Sequence, residues 1–139
     1  MNRCQIVIIF FLTLSIFSCD KNETEVGTGI LGKWKATEFM SVESVAYPKK
    51  DGYNPVIEFN NDGSYYLKLD MNSCIGIFTL TDNSGISMTA PGCTKICCDS
   101  EFSKKFVQML PQVKSYQLEN NNLKLEVPEW GWINLELND

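Results

Sequence analysis

Two runs near the end of the chain, Leu123-Lys-Leu-Glu-Val127 and Trp132-Ile-Asn-Leu-Glu-Leu137, alternate almost without a break between apolar and polar residues. A period of two puts every second side chain on the same face, so both runs predict strands with one buried and one wet face. The same signal recurs upstream. Gly32-Lys-Trp34-Lys-Ala36-Thr-Glu38 reads as a first strand with Trp34 inward, and Ser41 to Asn54 as a loop holding Pro48 and Gly52. Pro55 to Asn60 and Ser64 to Asp70 flank Asn61-Asp62-Gly63, a three-residue hairpin loop with Gly63 in the left-handed position. That register pairs Phe59 with Tyr65, Ile57 with Leu67 and the outward Glu58 with Tyr66. Ile75 to Thr81 turns at Asp82-Asn83-Ser84-Gly85 into Ile86 to Ala90, which Pro91-Gly92 ends. Lys114 to Glu119 turns at Asn120-Asn121-Asn122 into the run from Leu123.

Between these strands lies one helical pattern. Phe102, Phe106, Met109 and Leu110 fall at i, i+4, i+7 and i+8, a single apolar stripe, with Lys104, Lys105 and Gln108 facing water. Asp99 or Ser100 supplies the N-cap, and Pro111 stops the helix. The sum is a mostly β, α+β domain. It predicts an antiparallel curled sheet or partly open barrel of about seven or eight strands, closed by one helix.

The N-terminus carries an address. Arg3 is a positive n-region, Ile6 to Phe17 is an apolar run broken only by Thr13 and Ser15, and Ser18 precedes Cys19. The run is well short of the roughly 20 residues a spanning helix needs, so residues 1–18 read as a secretory signal. A small residue and cysteine closing an apolar run resembles the lipobox of bacterial lipoproteins. That resemblance implies cleavage before Cys19, acylation of its thiol and amino group, and a lipid anchor in the bacterial cell envelope. Residues 19–29, polar, acidic and punctuated by glycine, predict a flexible tether. Acidic residues close behind such a cysteine also resemble the surface-export signals of Bacteroidetes lipoproteins, which implies an outer-membrane protein facing periplasm or surface. Residues 30–139 hold the folded domain.

Composition removes whole classes of chemistry. Taking residues 1–18 from the 139 leaves 121, with 11 lysines, 17 acidic residues, a net charge of −6, no arginine and no histidine. Without imidazole there is no Ser-His or Cys-His nucleophile and no His-ligated metal. Without guanidinium there is no bidentate grip on phosphate. The negative balance excludes nucleic acid as a partner. Glu58, Asp70, Glu126 and Glu136 read as solvated strand charges rather than the facing carboxylates of a glycosidase. The sequence therefore predicts no enzyme, no cofactor and no metal.

Export implies an oxidising compartment, in which Cys74, Cys93, Cys97 and Cys98 form disulfides. Adjacent cysteines are about 3.8 Å apart at Cα, below the usual range, so a Cys97–Cys98 bridge is set aside. Two pairings remain: Cys74–Cys98 with Cys93–Cys97, or Cys74–Cys97 with Cys93–Cys98. Neither zinc-knuckle nor thioredoxin-like Cys-x-x-Cys spacing is present.

From Pro55 onward the layout resembles the META domain family, which includes the bacterial heat-shock lipoprotein HslJ. Asn72-x3-Gly76-x-Phe78 matches the family's turn, Thr94-Lys-Ile-Cys-Cys98 its approach to the helix, and Phe102, Phe106 and Leu110 the helix itself. Val113, Tyr116, Leu123 and Leu125 match the following strands, and Trp34 the start. The chain departs from the family at Met71, where a cysteine usually stands, and at the extra Cys93 and Cys97. The resemblance implies an envelope lipoprotein of stress-response or housekeeping type with no established catalytic residues, and the chain as a whole reads as a non-catalytic module that binds another protein or stabilises an assembly. Gly32-x-Trp34 also resembles the opening of lipocalin-like carriers, which implies a small hydrophobic ligand held over Trp34.

Four residues stand as binding candidates. Asn72 and Gly76 read as a tight bend, with Gly76 permitting it and Asn72 tolerating left-handed geometry. Trp130 and Trp132 flank a glycine. If Ile133, Leu135 and Leu137 point inward, Trp132 points outward, where it fits a sugar or a protein partner or covers the barrel end.

Overall fold

A computed structural model describes residues 28–139. The signal segment, Cys19 and its acylation, and all but the end of the tether lie outside them.

Strand β1 (Gly32–Ser41) runs three residues past its expected end, because a bulge between Ala36 and Glu38 resets its register against the last strand. The bulge turns Phe39 toward the interior, where it stacks on Phe102 at 4.2 Å between ring centres. Next come β2 (Val56–Phe59) and β3 (Ser64–Lys68), paired as the sequence predicts: Phe59 with Tyr65, Ile57 with Leu67, Glu58 with Tyr66. Gly63 takes φ +81, and Asp62 Oδ1 accepts from the Ser64 N–H at 2.9 Å to close the loop.

Strand β4 (Ser73–Thr81) pairs its first half with β3 and its second half with β5 (Gly85–Met88). A two-residue strand, β6 (Gly92–Cys93), lies against β4 where the sequence predicts only loop. Helix α1 (Glu101–Met109) follows, then β7 (Ser115–Glu119), β8 (Asn122–Val127) and β9 (Gly131–Leu137). The described residues thus form nine strands rather than seven or eight. All pairings are antiparallel, in the order β3-β2-β1-β9-β8-β7-β5-β4-β6, and the β3–β4 pairing closes eight strands into a ring. Its thinnest joint is β5 to β7, where Gly85 meets Ser115.

Helix α1 closes the core. Ser100 is the N-cap, its hydroxyl accepting from the Ser103 N–H at 3.2 Å, and Leu110–Gln112 tightens into a 3-10 turn carrying Pro111. Phe102, Phe106, Met109 and Leu110 are buried against inward side chains including Trp34, Ile57, Phe59, Tyr65, Leu67, Phe78, Leu125 and Ile133. Trp34 donates its indole N–H to the Ile30 carbonyl at 2.7 Å, so its polar atom is satisfied. Leu137, expected inward, lies at the sheet's end and is 37% exposed.

The disulfide pairing differs from both expected alternatives. Cys74 and Cys93 are register partners on β4 and β6 with Cα atoms 4.0 Å apart, and they bridge each other. Cys97 and Cys98, Cα atoms 3.7 Å apart, form the adjacent pair that distance had set aside. The physical reason is β6: its pairing with β4 sets Cys93 directly across from Cys74, which leaves Cys97 and Cys98 to each other. Cys98 adopts φ +88.

Candidate functional site

Asn72 is buried, and its amide uses its full hydrogen-bonding capacity on the cysteine loop. Its Nδ2 donates to the Ile96 carbonyl and to Asp99 Oδ2, both at 2.6 Å. Its Oδ1 accepts from Thr94 Oγ1 and from the Ile96 N–H, both at 2.7 Å. Asp99 answers by accepting the Met71 N–H at 2.8 Å and the Asn72 N–H at 3.1 Å. Asp70, two residues earlier, accepts the Ser100 N–H at 2.6 Å and a bond from the Ser103 hydroxyl. Burial works to raise the Asp70 carboxyl, but the bonds from Ser103 and Ser100 outweigh it and hold it below its ordinary value. Asp70 is therefore a clasp on the helix start, not the solvated strand charge its position suggests. Glu126 is likewise engaged, accepting from the Ser115 hydroxyl.

Neither Asn72 nor Gly76 makes a left-handed bend. Gly76 sits within β4, opposite Tyr65, and a Cβ there would fall 2.3 Å from the Tyr65 ring. The glycine makes room for a buried tyrosine whose hydroxyl donates to the Thr89 carbonyl at 2.6 Å. Burial pushes the Tyr65 phenol up to about 12, so it stays neutral. Gly76 is a packing residue.

The outer face of the same strands is unusual. Ile75 and Ile77 on β4 are 64% and 60% exposed, and Tyr66, register partner of Ile75, is 38% exposed. Met71 and Ile96 on the adjoining turn and loop are also exposed. Beside this strip, a groove of about 490 Å³ crosses the outer faces of β1, β2 and β3. Lys33, Lys35 and Lys68 line it with Tyr53, Tyr66 and a single carboxylate, Glu58. Among the described residues, Lys33 and Lys35 make only long, exposed ion pairs, with Glu58 at 3.9 Å and Glu136 at 3.7 Å, worth little in water. Tyr66 belongs to both features and joins them into one surface. Reading the sequence for inward residues missed it. The signal was present: Cys74-Ile-Gly-Ile-Phe78 is apolar at consecutive positions where a one-sided strand would alternate.

The two tryptophans separate. Trp130 is buried at the ring's end, edge-on to Phe39 at 5.5 Å, with Lys105 Nζ 5.2 Å above its ring. Lys105 also pairs with Glu43 at 3.1 Å, and Tyr47 donates to that carboxylate at 2.5 Å. The Tyr47 bond leads in holding the Glu43 carboxyl down at about 2. Trp132 faces outward on β9 as alternation predicts, 37% exposed, next to the exposed Met40 of β1. Thus Trp130, not Trp132, covers the ring's end. The structure does not bring the tryptophans to Asn72 and Gly76, since β1, β2 and β3 lie between β9 and β4. Among the described residues, no group of three or more Cys, Asp or Glu is placed to hold a metal ion.

The META domain family model matches residues 29–130. A similar solved structure is that of a DUF4847 family protein from Bacteroides vulgatus ATCC 8482 at 1.00 Å resolution. It is 15% identical with a TM-score of 0.57, covering 80% of this chain and 95% of that one, a likeness of fold alone. No curated protein matches the chain.

Proposed function

This chain belongs to the META domain family, and on that premise we propose that it is a non-catalytic module of the bacterial envelope, lipid-anchored at Cys19, that seats a partner protein. The seat is the outer face of β3 and β4. The observation that carries this reading is the strip of Tyr66, Ile75 and Ile77, exposed apolar surface whose covering by a partner lowers the free energy. Lys33, Lys35 and Lys68 beside it favour a partner segment that is apolar where it meets the isoleucines and acidic where it meets the groove.

The alternative role, carriage of a small hydrophobic ligand, loses its support from the interior. Trp34 lies in one buried apolar cluster with side chains of the ring strands and α1, while the groove carrying Lys33, Lys35 and Lys68 lies on the outer face. A role without catalysis is supported by the lack of histidine in the chain and by carboxylates such as Asp70 and Glu126 being tied to structural donors. The envelope address rests on the N-terminal segment.

Site-directed photocrosslinking in cells tests the seat. A photoreactive residue in place of Ile75 should yield a defined envelope-protein adduct, and one in place of Lys124, exposed on β8, should not. The adduct should disappear when Lys33 and Lys68 are changed to Glu. Equal adducts from both positions, or none from Ile75, would overturn the proposal.

A further inference from the structure

The two disulfides occupy opposite environments. Cys74 is 1% exposed and its bridge to Cys93 staples two paired strands. Cys97 and Cys98 are both exposed, on a loop between β6 and α1 with no strand pairing. Cys98 holds φ +88, a region that a side chain bearing a Cβ adopts at a cost.

Hydrogen bonds that do not involve the Cys97–Cys98 bridge hold the loop in place. Asn72 grips it through Thr94, Ile96 and Asp99, and Asp99 in turn holds the backbone of Met71 and Asn72. Breaking the bond would therefore free two thiols on a loop that these hydrogen bonds still tie to Asn72. Ile96 directly precedes Cys97, and the Met71 N–H is bonded to Asp99, next to Cys98; both side chains are exposed and offer an apolar landing surface.

From these placements we propose that Cys97–Cys98 is a thiol–disulfide exchange site for an external dithiol, and that Cys74–Cys93 is the structural bridge. A thiolate of the dithiol attacks one of the two sulfurs. The Cys97–Cys98 bond breaks, a mixed disulfide forms, and the displaced cysteine leaves as a thiolate and takes up a proton. The second thiol of the reductant then attacks the mixed disulfide, closing its own disulfide and releasing the other cysteine as a thiol. Two electrons pass to the protein and the dithiol is oxidised.

Trypsin separates the two bridges, because the chain has lysines at 68, 95 and 104 and no lysine or arginine between 68 and 95. Residues 69–95 carry Cys74 and Cys93, and residues 96–104 carry Cys97 and Cys98. The full chain is first blocked with N-ethylmaleimide, then exposed to graded dithiothreitol, then to iodoacetamide, digested and weighed. The 96–104 peptide should take two labels at dithiothreitol levels about tenfold below those that label 69–95, access being the difference. The near-ultraviolet circular dichroism should stay native at that point. Simultaneous labelling, earlier labelling of 69–95, or the two peptides joined before reduction would each overturn the proposal. The Cys97→Ser, Cys98→Ser double variant should keep the Cys74–Cys93 bridge and the native spectrum. If it loses them, the adjacent pair is a structural brace and the proposal fails.

Discussion

Strands β8 and β4 face the same core and present opposite exteriors. On β8, Leu123, Leu125 and Val127 are buried while Lys124 lies exposed between them, and the outward Glu126 is held by Ser115. On β4, Cys74 and Phe78 are buried, but the outward positions hold Ile75 and Ile77. The inward faces follow one rule, burial of apolar surface. The outward faces do not, since nothing in folding one chain requires isoleucine in water. The core explains β8 entirely and only half of β4, and the unexplained half is where a partner is proposed.

The largest effects should fall where both strands obey the shared rule. Leu125→Ala removes a fully buried side chain of β8 and should cost about 2–5 kcal/mol, read as a lower midpoint in urea unfolding. Gly76→Val on β4 forces side-chain atoms into the Tyr65 ring and should cost about 1–3 kcal/mol or more through overpacking. If Gly76→Val were neutral, the glycine would not be there to accommodate Tyr65, and β4 would be less like β8 inside than the structure describes.

Asn72→Ala comes next. It strands the Ile96 N–H and carbonyl together with the Thr94 hydroxyl, and should cost about 1–3 kcal/mol. Hydrogen exchange should quicken in residues 94–99 before it quickens anywhere in β8. Asp70→Asn tests the same end of β4 through acid. The folded carboxyl lies below its ordinary 3.8, so its contribution is fully present above that value and is lost as pH falls through the folded one. The gap in thermal midpoint between native chain and variant should therefore be wide at neutral pH and close below pH 3.8. A gap as wide in strong acid as at neutral pH would mean that the charge on Asp70 contributes nothing.

How far the sequence carries can be seen residue by residue. The β2–β3 register was legible because Asn61-Asp62-Gly63 fixes the turn and alternation leaves one pairing that puts Ile57, Phe59, Tyr65 and Leu67 on one side. The helix was legible from its stripe and its cap. The disulfides were not, because β6 is two residues long and carries no periodicity, yet it decides which sulfur Cys74 meets. Asn72 was found as a candidate for the wrong reason: its spacing to Gly76 suggested a bend, whereas its partners lie more than twenty residues away on a loop. Lys33, Lys35 and Lys68 were invisible as a group, since convergence on a groove depends on three strands lying side by side.

The smallest effect on stability should come from the position that matters most to the proposed seat. Ile75 is 64% exposed, so Ile75→Ser removes few contacts and should shift the unfolding free energy by no more than about 0.5 kcal/mol. Lys124→Ser, exposed on β8, should be equally silent by that measure. The two should part only when a partner is present. Ile75→Ser should weaken the crosslinked complex, and combining it with Ile77→Ser should weaken it further, because the neighbouring side chains share one covered surface. If Ile75→Ser destabilises the isolated domain as strongly as Leu125→Ala, its side chain is core after all, and the contrast between β4 and β8 collapses. If it leaves both fold and complex untouched, the exterior of β4 is solvated like that of β8, and the partner must sit elsewhere.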